Sequence, residues 1–303
     1  MGTDDTIRLF HLPFSFMLPQ KVASEQGYFA AEGLDVELDE RDRESVDWKY
    51  IPAEENLTTD HGVDMYPICK WESIKRTWDM GDGKIVAKGT FADQPYTVFV
   101  REDSAIEAPG NLAGVPVGVN RRTGQEYTAI RALEEHMSPE EVELTHCGMP
   151  TDRLRALRDG EMAAVTLLEP QSTLARHLGF RPVMDFANHM GMVGGEAIDD
   201  DTLEKFMRGY GRAVEEINAD PDAYREAYLD MLKAEASAGV APDLFEDVDM
   251  NELRADLTVP TYAVPELADG AELDGQLDWM KRRRLIDDEA DIDAIVASVA
   301  PVR

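Results

Sequence analysis

Residues 115–133, VPVGVNRRTGQEYTAIRAL, decide the fold. Valines at every second position from Val115 to Val119 predict a short strand, and apolar residues at helical spacing farther along predict a helix. A sharp turn at residues 120–124 joins the two. Because the start of a helix presents unpaired backbone N–H groups and the positive end of its dipole, this turn is suited to bind a carboxylate, sulfonate or phosphate.

The turn supplies five candidate ligand-binding residues, namely Asn120, Arg121, Arg122, Thr123 and Gly124. Thr123 is the predicted cap of the helix, and the two guanidinium groups would pair with an anion. The alternative is a capped helix with two solvent-exposed arginines, and this stretch alone does not decide between them.

A βαβ unit is predicted at the start of the chain. Residues 6–11 are predicted to form a strand, residues 17–29 a helix and residues 33–38 a second, half-exposed strand. Such a unit implies a parallel sheet. Ligands bind at the carboxyl ends of parallel strands, so His11, which ends the first strand, is a candidate ligand-binding residue.

The same periodicities predict the remaining elements. Predicted strands lie at 96–100, 142–146, 163–168 and 181–186, a strand runs into a helix within 61–74, and predicted helices lie at 151–158, 171–178, 202–219, 222–236, 273–283 and 291–299. Residues 39–56 are predicted to form a loop with a short helix, and the glycine-rich residues 191–195 a flexible loop. An apolar stripe in the 202–219 helix predicts part of the core; it consists of Leu203, Phe206, Met207, Tyr210 and Val214.

Residues 19–38, PQKVASEQGYFAAEGLDVEL, resemble the opening of the SsuA/THI5-like (NMT1) family, whose members show an A…GYF…EGLDVEL pattern. Further segments follow in the family's order: VDMY at 63–66, GKIVA at 83–87, NLAGVPVGV at 111–119, RDGEMAAV at 158–165 and LEP at 168–170. Each motif is loose by itself, and their shared order makes the resemblance specific.

The resemblance implies a type II periplasmic-binding-protein fold, an α/β architecture of two lobes with parallel-dominated sheets. Two crossing strands, at 96–100 and 181–186, would join the lobes, and a ligand would be enclosed between them. Residues 1–95 and 187–303 would form lobe 1 with the C-terminal helices, and residues 96–186 would form lobe 2. Relatives of this class are ABC transporter substrate-binding proteins for nitrate, sulfonates, taurine or pyrimidine precursors. The expected function is therefore to bind a small anionic metabolite (a sulfonate, a carboxylate or a pyrimidine precursor) for an ABC permease.

Four more residues are candidates for the ligand site. Tyr66, Lys70 and Trp71 follow a strand and would offer a stacking face and a charge; core packing of Trp71 and a solvated Lys70 are the alternative. Glu169 would accept a hydrogen bond from the ligand or, alternatively, pair with an arginine.

An enzyme is the alternative function. Eukaryotic pyrimidine synthases of thiamine biosynthesis and certain cytosolic decarboxylases share the scaffold, but the cysteine-rich run CCCFC of those synthases is absent here. The candidate catalytic residues in that case are His11, Cys69 and Lys70. A cytosolic metabolite sensor is the third possibility, and common hydrolase, nucleotidase and dinucleotide motifs are missing.

No metal site and no cofactor are predicted. The six histidines are scattered, and only His146 and Cys147 bring an N and an S ligand together in sequence. Adjacent residues of a strand point to opposite faces, so this pair would not share a metal. With Cys69 as the only other cysteine, no disulfide framework is predicted.

The charge of the chain is strongly acidic. With 30 Lys and Arg against 61 Asp and Glu, the formal net charge is -31. Repulsion of this size argues against nucleic acid and anionic membranes as partners. A carboxylate excess of this kind is also typical of proteins that work in concentrated salt, so we expect a halophilic source. The basic residues 281–284 are interpreted as the end of an amphipathic helix.

The first ten residues, MGTDDTIRLF, contain no basic segment followed by an apolar run, and nowhere do ~18 apolar residues follow one another. For the sequence as written we expect a cytoplasmic location without direct membrane insertion. For a trimmed chain the alternative is an extracytoplasmic, membrane-associated protein.

We expect the midpoint of thermal unfolding to rise from dilute buffer to molar KCl, because salt screens the repulsion among the carboxylates. Calorimetry over a KCl series measures this. A midpoint that stays constant across the series would contradict a halophilic adaptation.

Overall fold

The computed structural model describes residues 6–40, 62–81, 83–88, 95–121, 123–187, 189–196, 198–238 and 242–297. In these ranges the strands are β1 (Thr6–His11), β2 (Asp35–Glu40), β3 (Met65–Cys69), β4 (Lys84–Lys88), β5 (Pro95–Arg101), β6 (Val117–Val119), β7 (Leu144–His146), β8 (Ala164–Leu167), β9 (Phe180–Ala187), β10 (Met190–Gly194) and β11 (Glu266–Leu267).

The α-helices of the same ranges are α1 (Leu18–Glu25), α2 (Tyr28–Ala31), α3 (Lys70–Met80), α4 (Gly124–Leu133), α5 (Pro150–Arg158), α6 (Gln171–His177), α7 (Asp200–Ala219), α8 (Arg225–Ala238), α9 (Met250–Asp256), α10 (Gly270–Arg282) and α11 (Ile292–Ile295). Short 3-10 helices cover Ser15–Met17, Pro109–Leu112, Pro139–Glu141, Pro221–Tyr224 and Pro242–Phe245. None of the described helices is both long and apolar enough to cross a membrane.

The first sheet has the strand order β11-β4-β10-β3-β1-β2. Strand β1 pairs in parallel with β2 and β3, as the opening βαβ unit predicts. Strand β10 is inserted between β3 and β4 and is antiparallel to both. The strands β2, β1, β3 and β4 therefore run in one direction, but the pairing of this sheet is mixed.

The second sheet has the order β7-β6-β8-β5-β9. Strand β6 is parallel to β7 and β8, whereas β5 is antiparallel to β8 and β9. The chain enters this sheet between β4 and β5 and leaves it between β9 and β10. We refer to the first sheet with its helices as lobe 1 and to the second as lobe 2. The predicted two-lobe α/β fold is confirmed, with mixed sheets, while the predicted residue limits of the lobes stay a prediction.

Several element boundaries differ from those predicted. The helix predicted at 17–29 is split into α1 and α2, because Gly27 between them has a φ of 72°. The tail helix predicted at 291–299 is only the short α11. Most of the loop predicted at 39–56 lies outside the described residues.

The interpretation of residues 191–195 as a flexible loop is wrong, because Met190–Gly194 is the buried strand β10. Its glycines allow close packing. A Cβ at Gly194 would lie only 3.2 Å from Val86 Cγ1 of β4, and a Cβ at Gly83 would overlap the carbonyl oxygen of Gly194. Glycine in this strand therefore marks the close approach of other chain segments.

The stripe predicted on α7 is part of the core. Leu203, Phe206, Tyr210 and Val214 are buried, and Met207 packs against them half-buried. The Phe206 ring stacks on Phe29 with 5.0 Å between the centroids. Full burial of each such side chain stabilises the fold by roughly 1.5–3 kcal/mol.

Helix α8 comes after the chain has returned to lobe 1, yet it contacts lobe 2 through Glu235. The Glu235 residue is only 4% exposed. The Glu235 carboxylate accepts hydrogen bonds from the N–H (3.1 Å) and Oγ1 (2.9 Å) of Thr151 and from Nε2 of Gln171 (2.8 Å). Burial raises the pKa of Glu235, and these three donors oppose that shift. The carboxylate thereby caps the first turn of α5 from outside lobe 2.

We expect Glu235→Ala to lower the free energy of unfolding by about 2–3 kcal/mol, because the buried donors at Thr151 and Gln171 lose their acceptor. Urea unfolding followed by circular dichroism measures this. The matched control is Glu226→Ala on the same helix, which removes a solvent-exposed ion pair with Arg254 and should change little. Equal effects of the two substitutions would contradict the assigned role of Glu235.

Candidate functional site

A cavity of about 180 Å³ lies between the two lobes. Lobe 1 lines it with residues at and beyond the carboxyl ends of β1 and β3, and lobe 2 with residues that follow β6 and β8 and with the start of α5. Parallel strands collect their ligand-binding residues at this edge. The position agrees with the site predicted from the βαβ unit and the turn after β6.

Most of the cavity wall is apolar and aromatic. Phe10, Phe14, Phe16, Tyr66 and Tyr96 supply rings, with Phe14 and Phe16 stacked at 5.4 Å between centroids and 17° between planes. Three methionine side chains complete the wall; they are Met17, Met149 and Met190. Flat rings and flexible thioethers suit a flat apolar group.

Arg153 of α5 is the cationic group that lobe 2 contributes to the cavity. It is 1% exposed, and its Nε and Nη1 donate to the carbonyl oxygens of Thr166 (2.7 Å) and Gly148 (2.6 Å). Within the described part of the chain, Nη2 makes no hydrogen bond and no carboxylate lies within ion-pair distance. Burial lowers the pKa of Arg153, but a guanidinium stays charged in proteins. Its charge is therefore held at the cavity without a direct ion pair to a described residue, while the Glu235 and Asp152 carboxylates act on it at longer range and raise its pKa.

Two polar side chains near Arg153 offer further donors. The hydroxyl of Tyr96 makes no hydrogen bond to any described residue, and burial raises its pKa, so it remains a donor. Gln125 accepts the Asn120 N–H through Oε1 (3.0 Å), which leaves its buried Nε2 without a partner among the described residues. Unmatched buried donors are costly and mark a place where a ligand supplies acceptors.

The start of α4 differs from the prediction. Thr123 lines the cavity, but it does not cap the helix, because its hydroxyl donates to the carbonyl oxygen of Asn120 (2.7 Å). The N–H of Gly124 instead donates to Glu72 Oε2 of lobe 1 (3.2 Å). Glu72 Oε1 accepts from Arg76 Nη2 at 3.3 Å. A carboxylate of the other lobe therefore occupies the predicted anion position.

The predicted arginine pair does not form an anion site in the described structure. The Arg121 side chain is 54% exposed, and its Nε donates to Glu126 Oε1 at 3.1 Å. Glu126, in the first turn of α4, attracts the guanidinium toward the solvent side, so Arg121 is not part of the cavity lining. Arg122 lies outside the described residues, and its role stays a prediction.

Of the other predicted ligand-binding residues, Tyr66 lines the cavity, whereas Trp71 and Glu169 do not. Trp71 packs on Trp279 with 4.9 Å between the centroids, as its core alternative predicts. Glu169 accepts from the N–H and Oγ1 of Thr173 and from Arg176 Nη1, at 3.0, 2.7 and 3.0 Å. These three donors already satisfy the Glu169 carboxylate. Glu169 therefore pairs with an arginine, Arg176, as its alternative predicts.

The three candidate catalytic residues are not brought together. Cys69 lines the interlobe cavity, Lys70 lines a second cavity of about 240 Å³ within lobe 1, and His11 lines neither. Burial, with a smaller contribution from Glu72, raises the pKa of Cys69 to about 12, so the thiol stays protonated. Burial and then the Lys21 charge lower the pKa of His11 to about 4, and its Nδ1 contacts Gln20 Nε2 at 2.9 Å.

Sequence reasoning missed the polar residues of the cavity, although one signal was present. In α5, Arg153 falls on the same helical face as Met149, Ala156 and Leu157, all of which are buried. Arg155 and Arg158 fall on the exposed side. An arginine within an apolar helical stripe is a sign of a buried charge with a specific task. Among the described residues, no group of three or more His, Cys, Asp and Glu side chains is arranged to hold a metal ion.

Solved structures with the same fold include two sulfonate-binding proteins. The alkanesulfonate-binding protein SsuA from Xanthomonas axonopodis pv. citri, bound to MOPS, matches with a TM-score of 0.70 and 12% identity over 98% of this chain and 99% of that chain. The periplasmic aliphatic sulphonate binding protein SsuA from Escherichia coli matches with a TM-score of 0.68 and 11% identity over 99% and 94%.

A desulfurization enzyme, DSZB, also shares the fold. Its cysteine-to-serine mutant in complex with biphenyl-2-sulfinic acid matches with a TM-score of 0.54 and 16% identity over 97% of both chains. At these identities the three matches establish a common fold and do not by themselves assign an activity.

Among curated protein sequences, none matches this chain significantly. The sequence profile of the NMT1/THI5-like family, in contrast, matches residues 17–224, which include the helices and the second strand of the opening βαβ unit and all of lobe 2. The chain therefore belongs to the NMT1/THI5-like family.

Proposed function

We propose that this protein is a solute-binding protein that encloses a small anion with an apolar body between its lobes, for delivery to an ABC permease. The observation that carries the proposal is the buried guanidinium of Arg153 in the interlobe cavity, which has no carboxylate partner among the described residues. A buried charge of this kind is costly unless something pairs with it. An anionic ligand would supply the missing charge.

The polar groups of the cavity favour an oxyanion as the ligand's head. Glu72 and Arg76 pair with each other, so the described cavity side chains keep the charge of Arg153 in excess. Arg153 Nη2, the Tyr96 hydroxyl and Gln125 Nε2 are all donors. A carboxylate, sulfonate or sulfinate presents two or three acceptor oxygens to such a set.

The apolar wall favours a ligand body with a flat apolar group. Five aromatic rings and three thioethers line the same cavity, and burial of an aromatic ring against them contributes to affinity in proportion to the area removed from water. The MOPS-bound SsuA and the DSZB complex with biphenyl-2-sulfinic acid concern other proteins, but both ligands combine an acidic sulfur group with a larger body. A carboxylate in the cavity would favour a ligand that carries an amine. Because Glu169 lies outside the cavity, the ligand does not need such a group.

Catalysis is the second candidate function, since Cys69 lines the cavity and an enzyme shares the fold. Binding is better supported for two reasons. The thiol of Cys69, with a pKa of about 12, is not a nucleophile near neutral pH. In addition, neither His11 nor Lys70 lines the same cavity to act as its base.

The partner and the compartment follow from the proposed role. A substrate-binding protein for an importer works outside the cytoplasmic membrane, whereas a sensor or an enzyme of this fold would work in the cytoplasm. The carboxylate excess supports a saline environment in either case.

We expect Arg153→Met to weaken the binding of benzenesulfonate and benzoate roughly 30-fold or more, because loss of a charged hydrogen-bond donor costs about 2 kcal/mol. Isothermal titration calorimetry measures this, and native mass spectrometry of the purified protein identifies any retained ligand. The matched control is Arg155→Met, since Arg155 lies on the outer side of the same helix.

Methanesulfonate, which lacks the ring, should bind more weakly than benzenesulfonate. Thermal unfolding of each variant without ligand separates loss of binding from loss of folding. Undiminished affinity in folded Arg153→Met would contradict the proposed anion site, and equal binding of the two sulfonates would contradict the aromatic part of the proposal.

A further inference from the structure

Glu72 connects the two lobes at the cavity itself. It belongs to the first turn of α3 in lobe 1, and its Oε2 accepts the N–H of Gly124 in the first turn of α4 in lobe 2, at 3.2 Å. Its Oε1 accepts from Arg76 Nη2 at 3.3 Å, and its side chain is largely buried. The Glu72 carboxylate is thus bound by Arg76 of its own lobe and by the first turn of α4 in the opposite lobe.

The contact between the lobes is very close at this point. A Cβ at position 124 would overlap both Sγ and Cβ of Cys69, so only glycine fits against lobe 1 there. The Gly124 N–H donates to Glu72, while the Cα of Gly124 packs against Cys69. The Glu72 carboxylate therefore already occupies the donor that the start of α4 offers.

The groups without partners lie elsewhere on the cavity wall. Arg153, Tyr96 and Gln125 are each more than nine-tenths buried, line the cavity and have a donor group without a partner among the described residues. The cavity remains open while the Glu72–Gly124 hydrogen bond is formed. A ligand can thus occupy it with that bond in place.

We propose that Glu72 is a positioning residue that holds the lobes closed: its carboxylate binds the N-terminus of α4 across the cleft and so leaves Arg153 as the partner of the ligand's anionic group. The role of Arg153 as the ligand's partner rests on the proposed function, whereas the role of Glu72 in holding the lobes closed does not. The contact joins a carboxylate to the positive end of a helix dipole, an arrangement that stabilises a closed form. Release of the ligand then requires that this hydrogen bond break.

The first test uses the ligand-free protein. Hydrogen exchange of the Gly124 amide reports the bond directly, and small-angle scattering reports lobe separation. We expect Glu72→Gln to exchange this amide at least about fivefold faster and to increase the radius of gyration. The matched control is Glu126→Gln, which changes the same turn of α4 but a carboxylate that pairs outward with Arg121. Unchanged exchange and an unchanged radius in Glu72→Gln would overturn the proposal.

A second variant opens the cleft by a different route. Gly124→Ala adds a Cβ that would overlap Cys69, so it should increase the radius of gyration as Glu72→Gln does while leaving Glu72 intact. Gly275→Ala, on α10 with no heavy atom near the added Cβ, is the control and should leave the radius unchanged. A compact, folded Gly124→Ala protein would overturn the assigned contact.

The third test uses benzenesulfonate as the probe in stopped-flow measurements. We expect Glu72→Gln to raise its dissociation rate at least about fivefold, because release of the ligand requires that this hydrogen bond break and the variant lacks the charged acceptor. Tighter binding by Glu72→Gln would instead make Glu72 a competitor of the ligand and overturn the proposal. Failure of the probe to bind the unaltered protein would refute the proposed function, while the ligand-free measurements would still decide the role of Glu72.

Discussion

The unpaired N–H groups at helix starts in lobe 2 are the constraint on which the interlobe structure depends. Two of these helices, α4 and α5, begin at the contact with the rest of the chain, and each receives a buried carboxylate from outside lobe 2. Glu72 binds the start of α4, and Glu235 binds the start of α5. A carboxylate in such a place loses its hydration, so the contact is stable only while the helix supplies donors. Helix capping and contact between the lobes are therefore the same interaction here.

This arrangement supports the proposed assignment of the ligand-binding charge to α5. With Glu72 at the start of α4, that helix dipole is already matched by an anion, and the adjacent Arg121 pairs outward with Glu126. Arg153 differs because its hydrogen bonds go to the carbonyl oxygens of Thr166 and Gly148, which fix its position without neutralising it. In a chain with a formal net charge of -31, a buried arginine without a direct ion pair to any described carboxylate is a local exception. A fixed cation of this kind needs little reorganisation when an anion binds.

Local sequence patterns predicted individual elements, and the family resemblance implied the two-lobe fold, but neither was enough for the site. The strand β1 has the predicted bounds, and the core stripe of α7 is confirmed, because both follow from periodicities within a few residues. Local patterns do not predict strand β10, because the need for glycine at position 194 comes only from Gly83 and Val86, which are distant in the sequence. Glu235 and Thr151 are separated by 84 residues, and Glu72 and Gly124 by 52. No local pattern contains such pairs, so the residues that build the cavity's polar wall emerged only from the fold.

The states of the buried titratable groups also separate binding from catalysis. A catalytic pair needs pKa values near the working pH and two groups within reach of one another. Burial raises the pKa of Cys69, which stays a thiol, and lowers the pKa of His11, which stays a neutral imidazole. Both pKa values therefore lie away from that range. The charges that remain at the cavity belong to Arg153, which stays ionised, and to the mutually paired Glu72 and Arg76. Among the described cavity side chains, Arg153 is the cation without an ion-pair partner, and this property fits the proposed retention of an anion.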